Sequence, residues 1–204
     1  MITVLAGVNG AGKSTLLGSN LRDNNINYFN PDEVARQLMN NESDLTPMEA
    51  NSRAWIIGKE FLERAIATNK DYVFESTLGG NTITGLLMEA AKNGTEISVF
   101  YCGLESPELH IKRVKERVAM GGHDIPKIKI RERWLGSLEN MMKLMIVCKS
   151  ISVFDNSTPI TEGKPKPRKL FAFSDNQWIN QPAKDMPSWA KPLATTAMKM
   201  LNIR

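Results

Sequence analysis

Gly7-Val8-Asn9-Gly10-Ala11-Gly12-Lys13-Ser14-Thr15 meets every fixed position of the phosphate-binding pattern G-x-x-x-x-G-K-[ST]. The flanks agree with it. Ile2–Ala6 is an apolar run that reads as a buried strand, and the chain from Ser14 onward, with Leu16, Leu17 and Leu21, reads as a helix. The three glycines let the backbone turn its N–H groups inward around phosphate oxygens, at the positive end of the following helix. The pattern therefore assigns Asn9, Gly10, Ala11, Gly12, Lys13, Ser14 and Thr15 to a nucleoside triphosphate, expected to be ATP. Lys13 is expected on the β- and γ-phosphates and the Ser14 hydroxyl on Mg²⁺.

Bulk properties place that motif in a small enzyme. A chain of 204 residues fills one α/β domain, read here as residues 1–204 with a lid at about 106–135 and a C-terminal extension at about 156–204. The net charge of +4 is mild and the 26 Lys and Arg are spread along the chain, which argues against a dedicated nucleic-acid surface. Cys102 and Cys148 lie in apolar segments without metal-ligand spacing, as buried free thiols of a reducing compartment do. A strand beginning at Ile2 leaves no room for a signal peptide, and no apolar run approaches a membrane span. The expected setting is cytoplasmic, with a small-molecule substrate and no membrane.

Strand-like runs at 2–6, 27–29, 72–75, 97–102 and 151–154 alternate with helical patterns. Such alternation predicts an α/β fold of the P-loop kinase kind, a mostly parallel sheet with helices on both faces. Asn30-Pro31-Asp32-Glu33, Thr46-Pro47-Met48-Glu49 and Ser106-Pro107-Glu108 each set a capping side chain before a proline at the first helical position, and the first two add the Glu of a capping box. After Phe154 comes a proline- and lysine-rich loop with Lys164, Lys166, Arg168 and Lys169. A hairpin at 170–173 and 177–179 and a terminal helix from about Pro187 follow.

A phosphate loop alone does not separate a kinase from a switch GTPase or a motor. The base-reading N-K-x-D of GTPases is absent. Carboxylates instead stand at strand ends, on the edge where an open α/β sheet binds ligands. Asp32, in the first turn after the second strand run, is either the acceptor of a substrate hydroxyl proton or a complement to the helix dipole. Glu75 leaves the end of a buried strand and must be paired, ligated or facing a wet cleft. Thr77 either bonds a ligand hydroxyl or caps its turn.

Helical angle sorts the arginines. Arg131 falls on one stripe with Ile128, Leu135, Leu138, Met142 and Met145, so it is expected inward, while Arg133, about 200° away, is expected in solvent. An inward guanidinium needs an anion, either a transferring phosphoryl group or a buried carboxylate. Arg113 and Arg117, one turn apart, are placed to close as a lid. Gly121-Gly122 ends their helix as a hinge, and His123 either contacts a phosphate or caps a neighbour.

The ordered set of segment 7–15, Asn30-Pro31-Asp32-Glu33, Glu75-Ser76-Thr77-Leu78, Arg113-Val114 with Arg117-Val118, Gly121-Gly122-His123-Asp124-Ile125-Pro126, Ile130-Arg131 with Arg133, and Ser137-Leu138 resembles the zeta-toxin-like P-loop kinases, related in fold to chloramphenicol phosphotransferase. The resemblance covers roughly the first 155 residues. It implies that Asp32 is the catalytic base, that Glu75 and Thr77 hold the substrate, and that Arg117 and Arg131 stabilise the transferred phosphoryl group. It implies as acceptor the sugar 3′-hydroxyl of UDP-N-acetylglucosamine, and an antitoxin protein as partner. Other readings stay open: a kinase for another hydroxylated metabolite or an antibiotic, a polynucleotide or tRNA kinase using Lys164, Lys166, Arg168 and Lys169 as a phosphate track, and a nucleotide sensor without turnover.

Overall fold

The computed structural model describes residues 1–18, 26–122, 124–158 and 167–202. Six strands form one sheet: β1 (Ile2–Ala6), β2 (Tyr72–Ser76), β3 (Ile97–Gly103), β4 (Ser150–Asp155), β5 (Arg168–Ser174) and β6 (Gln177–Asn180). Their spatial order is β2-β1-β3-β4-β5-β6. The first four are parallel, and β5 and β6 extend the sheet as an antiparallel hairpin. Asp175 and Asn176 turn that hairpin with φ of 49° and 60°, a backbone state that Asp and Asn tolerate.

The helices flanking the sheet are α1 (Ser14–Gly18, a wide π-type turn), α2 (Pro31–Asn41), α3 (Pro47–Ala67), α4 (Asn81–Lys92), α5 (Pro107–Ala119), α6 (Lys127–Met145) and α7 (Lys191–Asn202). Three start where their capping residues lie. Asn30 Oδ1 accepts from the Asp32 and Glu33 N–H groups, Thr46 and Glu49 form a reciprocal capping box, and Ser106 Oγ accepts from Leu109 N–H. The main core joins Ile2, Val4, Phe74, Val99, Tyr101 and Val153 of the strands to Leu62, Leu87, Met141 and Leu193 of α3, α4, α6 and α7. Cys102 and Cys148 are buried free thiols, each pushed up to about 12 by burial. Among the described residues no helix is long and apolar enough to cross a membrane.

One expected strand does not form. In segment 27–29 only Phe29 reaches the sheet edge, as an isolated parallel bridge to Phe74, with Phe29 N–H to Val73 O at 2.8 Å and Glu75 N–H to Phe29 O at 2.9 Å. Asn30 already caps α2 in the next position, so pairing stops after one residue. That single bridge still fixes the start of α2 against the end of β2.

Candidate functional site

The loop between β1 and α1 is held from behind. Gly7 and Gly10 have φ of +139° and +85°, and a Cβ on either would lie 2.1 Å from the Cys102 carbonyl or 2.9 Å from the His110 carbonyl. Three side chains from distant segments take two neighbouring carbonyls of the loop. His110 Nδ1 lies 2.8 Å from Asn9 O, Asn156 Nδ2 donates to Ala11 O at 2.9 Å, and Cys102 Sγ lies 3.2 Å from the same oxygen. A trans peptide carries its C=O and N–H on opposite sides. Tying back the carbonyls of Asn9 and Ala11 therefore turns the N–H groups of Gly10 and Gly12 away from these anchors, the disposition a phosphate cradle needs.

Because a carbonyl only accepts, His110 carries its proton on Nδ1. Burial lowers the His110 pKa to about 4, and the nearby Lys13 and Arg113 charges push the same way against the raising effect of the Asn9 bond. The ring is thus neutral at physiological pH.

In front of the loop lies a cleft of about 590 Å³. Asn9, Lys13, Asn30, Asp32, Glu75, Thr77 and Arg133 all line it. Lys13 is only 8% exposed. Asp32 projects from the first turn of α2, and Arg117 Nη1 of α5 lies 3.3 Å from its Oδ2. Glu75, at the end of β2, is buried; burial raises its pKa, while Lys13 and a hydrogen bond from Ser14 oppose that shift. Asn30 Nδ2 reaches Glu75 Oε1 at 3.5 Å. Thr77 lines the cleft while its Oγ1 accepts the Gly79 N–H at 3.3 Å.

The turn after β2 is braced by α6. Asn140 Nδ2 donates to Leu78 O at 2.9 Å and Gly80 O at 3.1 Å, and Leu78 sits at φ +50°. Gly136 lets the helix approach, since a Cβ there would stand 2.6 Å from Gly79 O.

The phase expected for α6 fails at its two arginines. Arg131 is exposed and pairs with Glu108 at 3.3 Å, outside the cleft, while Arg133 enters it and donates from Nη1 to Asn9 Oδ1 at 2.9 Å. Of the five apolar residues of the expected stripe, Ile128 and Leu135 are 60% and 58% exposed, while Met145 is buried and Leu138 and Met142 pack against the core. The buried face runs through Ile130, Ser137, Asn140, Met141 and Leu144. Two polar residues on it broke the apolar pattern. Ser137 Oγ meets the Tyr101 hydroxyl at 3.0 Å, and Asn140 holds the turn after β2.

Arg113 donates to Thr158 O at 3.3 Å. His123, Lys164 and Lys166 lie outside the described residues. Of that basic run Arg168 pairs with Asp185, and Lys169 lies 5.6 Å from the centre of the Phe154 ring. His110, Asn140, Asn156 and Arg133 were not singled out by pattern as site residues. A signal existed for His110, four residues before Val114 on the apolar face of α5, and for Asn156, which follows β4 on the ligand edge.

Residues 2–138 match a family described as "AAA domain". An uncharacterized protein of Haemophilus influenzae is 33% identical over 128 residues, covering 63% of this chain and 88% of that protein. Among solved structures, a chain of the AvrRxo1-ORF1:AvrRxo1-ORF2 complex crystallised with ATP superposes with a TM-score of 0.67 at 13% identity. The match covers 97% of this chain, which spans 63% of the length of that one. A chain from the PezAT chromosomal toxin–antitoxin system of Streptococcus pneumoniae gives 0.53 at 14% identity, over 76% of this chain and 66% of that one. These two likenesses concern the fold. With its family match running from β1 into α6 and a mostly parallel sheet behind the phosphate loop, the chain belongs to the AAA-domain family, as a P-loop, kinase-like domain.

Proposed function

We propose that the protein is an ATP-dependent kinase that passes a γ-phosphoryl group to a hydroxyl of a small molecule. One observation carries the reading: Lys13 of the phosphate loop and Asp32 of α2 line the same cleft. The loop fits a triphosphate, because its anchored carbonyls leave N–H groups to receive phosphate oxygens.

In this reading Lys13 balances the charge of the migrating phosphoryl group, and the Ser14 hydroxyl would hold the Mg²⁺ that accompanies ATP and shields the β- and γ-oxygens. Asp32 takes the proton of the acceptor hydroxyl as its oxygen bonds to phosphorus and the bond to the β-bridging oxygen breaks, releasing ADP. Arg117, beside Asp32, and Arg133, beside Asn9, flank the path of the group and stabilise charge on its equatorial oxygens. Glu75 and Thr77 hold the acceptor.

The order of motifs along the chain supports a UDP-activated amino sugar as acceptor and an antitoxin-like protein partner, in the cytoplasm where ATP is at hand. Solved chains of like fold come from a two-protein complex and from a toxin–antitoxin system. A nucleic-acid kinase is the weaker reading, since both described members of the basic run, Arg168 and Lys169, are already engaged.

The test is incubation with γ-labelled ATP and a metabolite extract, followed by identification of the labelled product. We expect a phosphomonoester that Lys13→Ala abolishes. Undiminished labelling by a folded Lys13→Ala protein, or ATP binding with no labelled product, would overturn the assignment.

A further inference from the structure

One wall of the cleft leaves large apolar side chains uncovered. It is formed by α3, and three large apolar side chains on it, Met48, Trp55 and Ile56, remain 80%, 46% and 47% exposed. Folding does not account for them. The buried face of α3 is carried by Ala50, Ala54, Gly58, Leu62 and Ala65, small residues for the most part, which pack the helix without help from Trp55. A tryptophan kept half in water inside a cleft exposes apolar surface that a ligand can cover.

The polar groups around it narrow the class of that ligand. Asn51 and Ser52, close to Trp55 on α3, and Thr82 of α4 also line the cleft and are neutral. Two cations of the lining already have partners: Lys59 of α3 with Glu63 at 2.5 Å and Lys129 of α6 with Glu132 at 2.9 Å. The other charged residues of the lining, Lys13, Asp32, Glu75 and Arg133, come from the phosphate loop, α2, β2 and α6. The cleft thus brings together the charged residues around Asp32, where a hydroxyl would react, and an apolar stretch of α3 that carries Trp55.

We infer that the acceptor is an alcohol carrying a planar, uncharged ring, and that Trp55 is the residue that selects it by stacking. This rests on reading the Asp32 side of the cleft as the acceptor side. Ser52 supplies a hydrogen bond to the ring's edge substituents, and Met48 and Ile56 cover its rim. A sugar or polyol without a ring of this kind would leave the α3 wall wet and bind weakly.

The experiment uses the full chain, saturated with a non-hydrolysable ATP analogue and Mg²⁺, and measures binding by ligand-observed NMR titration. The probes are two matched pairs, phenyl β-D-glucoside with methyl β-D-glucoside, and uridine with ribose. In at least one pair the ring-bearing member is expected to bind about tenfold more tightly than its partner. Trp55→Ala should erase that difference and Trp55→Phe should retain it, with unchanged thermal unfolding in both variants. Equal binding within both pairs, no binding by any probe, or a preference that survives in Trp55→Ala would overturn the inference. Labelled-product formation from ATP is measured separately. Ring selection without phosphoryl transfer strikes the kinase reading alone, and phosphoryl transfer without ring selection strikes the Trp55 inference alone.

Discussion

Behind the phosphate loop, the side chains that anchor it, His110, Asn156 and Cys102, are buried, and two loop carbonyls are tied to three separate segments of the chain. On α3, Met48, Trp55 and Ile56 stand largely in water, and the cleft cations Lys59 of α3 and Lys129 of α6 are held by ion pairs near the surface, each worth about 0–1 kcal/mol. The first region is over-determined by the fold and the second is left free of it. Substitutions behind the loop should therefore disturb stability and nucleotide handling together, whereas those on α3 should change which acceptor binds and little else. Asp32, which lines the cleft from α2, stands between the two regions.

Asp32→Asn keeps the shape and removes the proton acceptor. We expect the rate of chemistry to fall by roughly 10²–10⁴ with ATP affinity unchanged. Single-turnover measurement with the identified acceptor decides it, and wild-type chemistry in the variant would return Asp32 to the role of helix-dipole partner.

Arg133 and Arg131 sharpen the contrast within one helix. Arg133 reaches Asn9 in the cleft, so Arg133→Ala should cost about 10²-fold in turnover. Arg131 is paired with Glu108 across the exposed side, and Arg131→Ala should leave turnover within about twofold. Assaying both variants side by side is decisive: a larger loss at Arg131 would mean that the outward arginine is the one recruited during the reaction.

These arginines also show what sequence could and could not reveal. The phosphate loop, the strand alternation and the three proline-led helix starts were legible because each rests on local chemistry: glycine backbone freedom, apolar runs, a capping side chain. Asp32 and Glu75 were legible as candidates because both lie at the carboxyl edge of the sheet. The phase of α6 was not. Its buried face carries Ser137 and Asn140, whose partners, Tyr101 and the carbonyls of Leu78 and Gly80, are about 36 to 62 residues away in sequence. A tertiary hydrogen bond makes a polar residue suitable for burial, and no periodicity registers it. His110 and Asn156 escaped for the same reason, since their role depends on loop carbonyls more than 100 residues distant.

His110 tests whether bracing from behind matters to the nucleotide. His110→Ala should raise the KM for ATP about tenfold with a smaller change in kcat, and His110→Asn, which restores a donor near the Nδ1 position, should recover most of it. Acid stability offers an independent reading. The folded-state pKa near 4 lies below the ordinary value of about 6.5, so the unfolded chain binds the extra proton first. The wild type should lose stability, on the order of 3 kcal/mol, as pH falls from about 6.5 to about 4, and His110→Asn should flatten that slope. Thermal unfolding across this range checks it; parallel curves for the two proteins would show that His110 does not govern the acid limb.

The smallest effect belongs to Glu75, where the two regions meet and where stability and function should part. Burial raises its pKa despite Lys13 and the Ser14 bond, so holding it ionised costs folding free energy. A raised carboxylate pKa means that the folded protein binds the proton more tightly than the unfolded chain. The favourable contribution is therefore full below the ordinary carboxylate range and is lost as pH rises through the folded-state value. Glu75→Gln removes that charge while keeping shape. It should raise Tm at neutral pH by a few degrees, with the gain shrinking in acid, and at the same time weaken acceptor binding about tenfold. Calorimetry and acceptor KM on the same preparation give the answer. A variant that is more stable and less active marks Glu75 as a charge maintained for the substrate; one that loses stability and activity together marks it as a structural partner of Lys13.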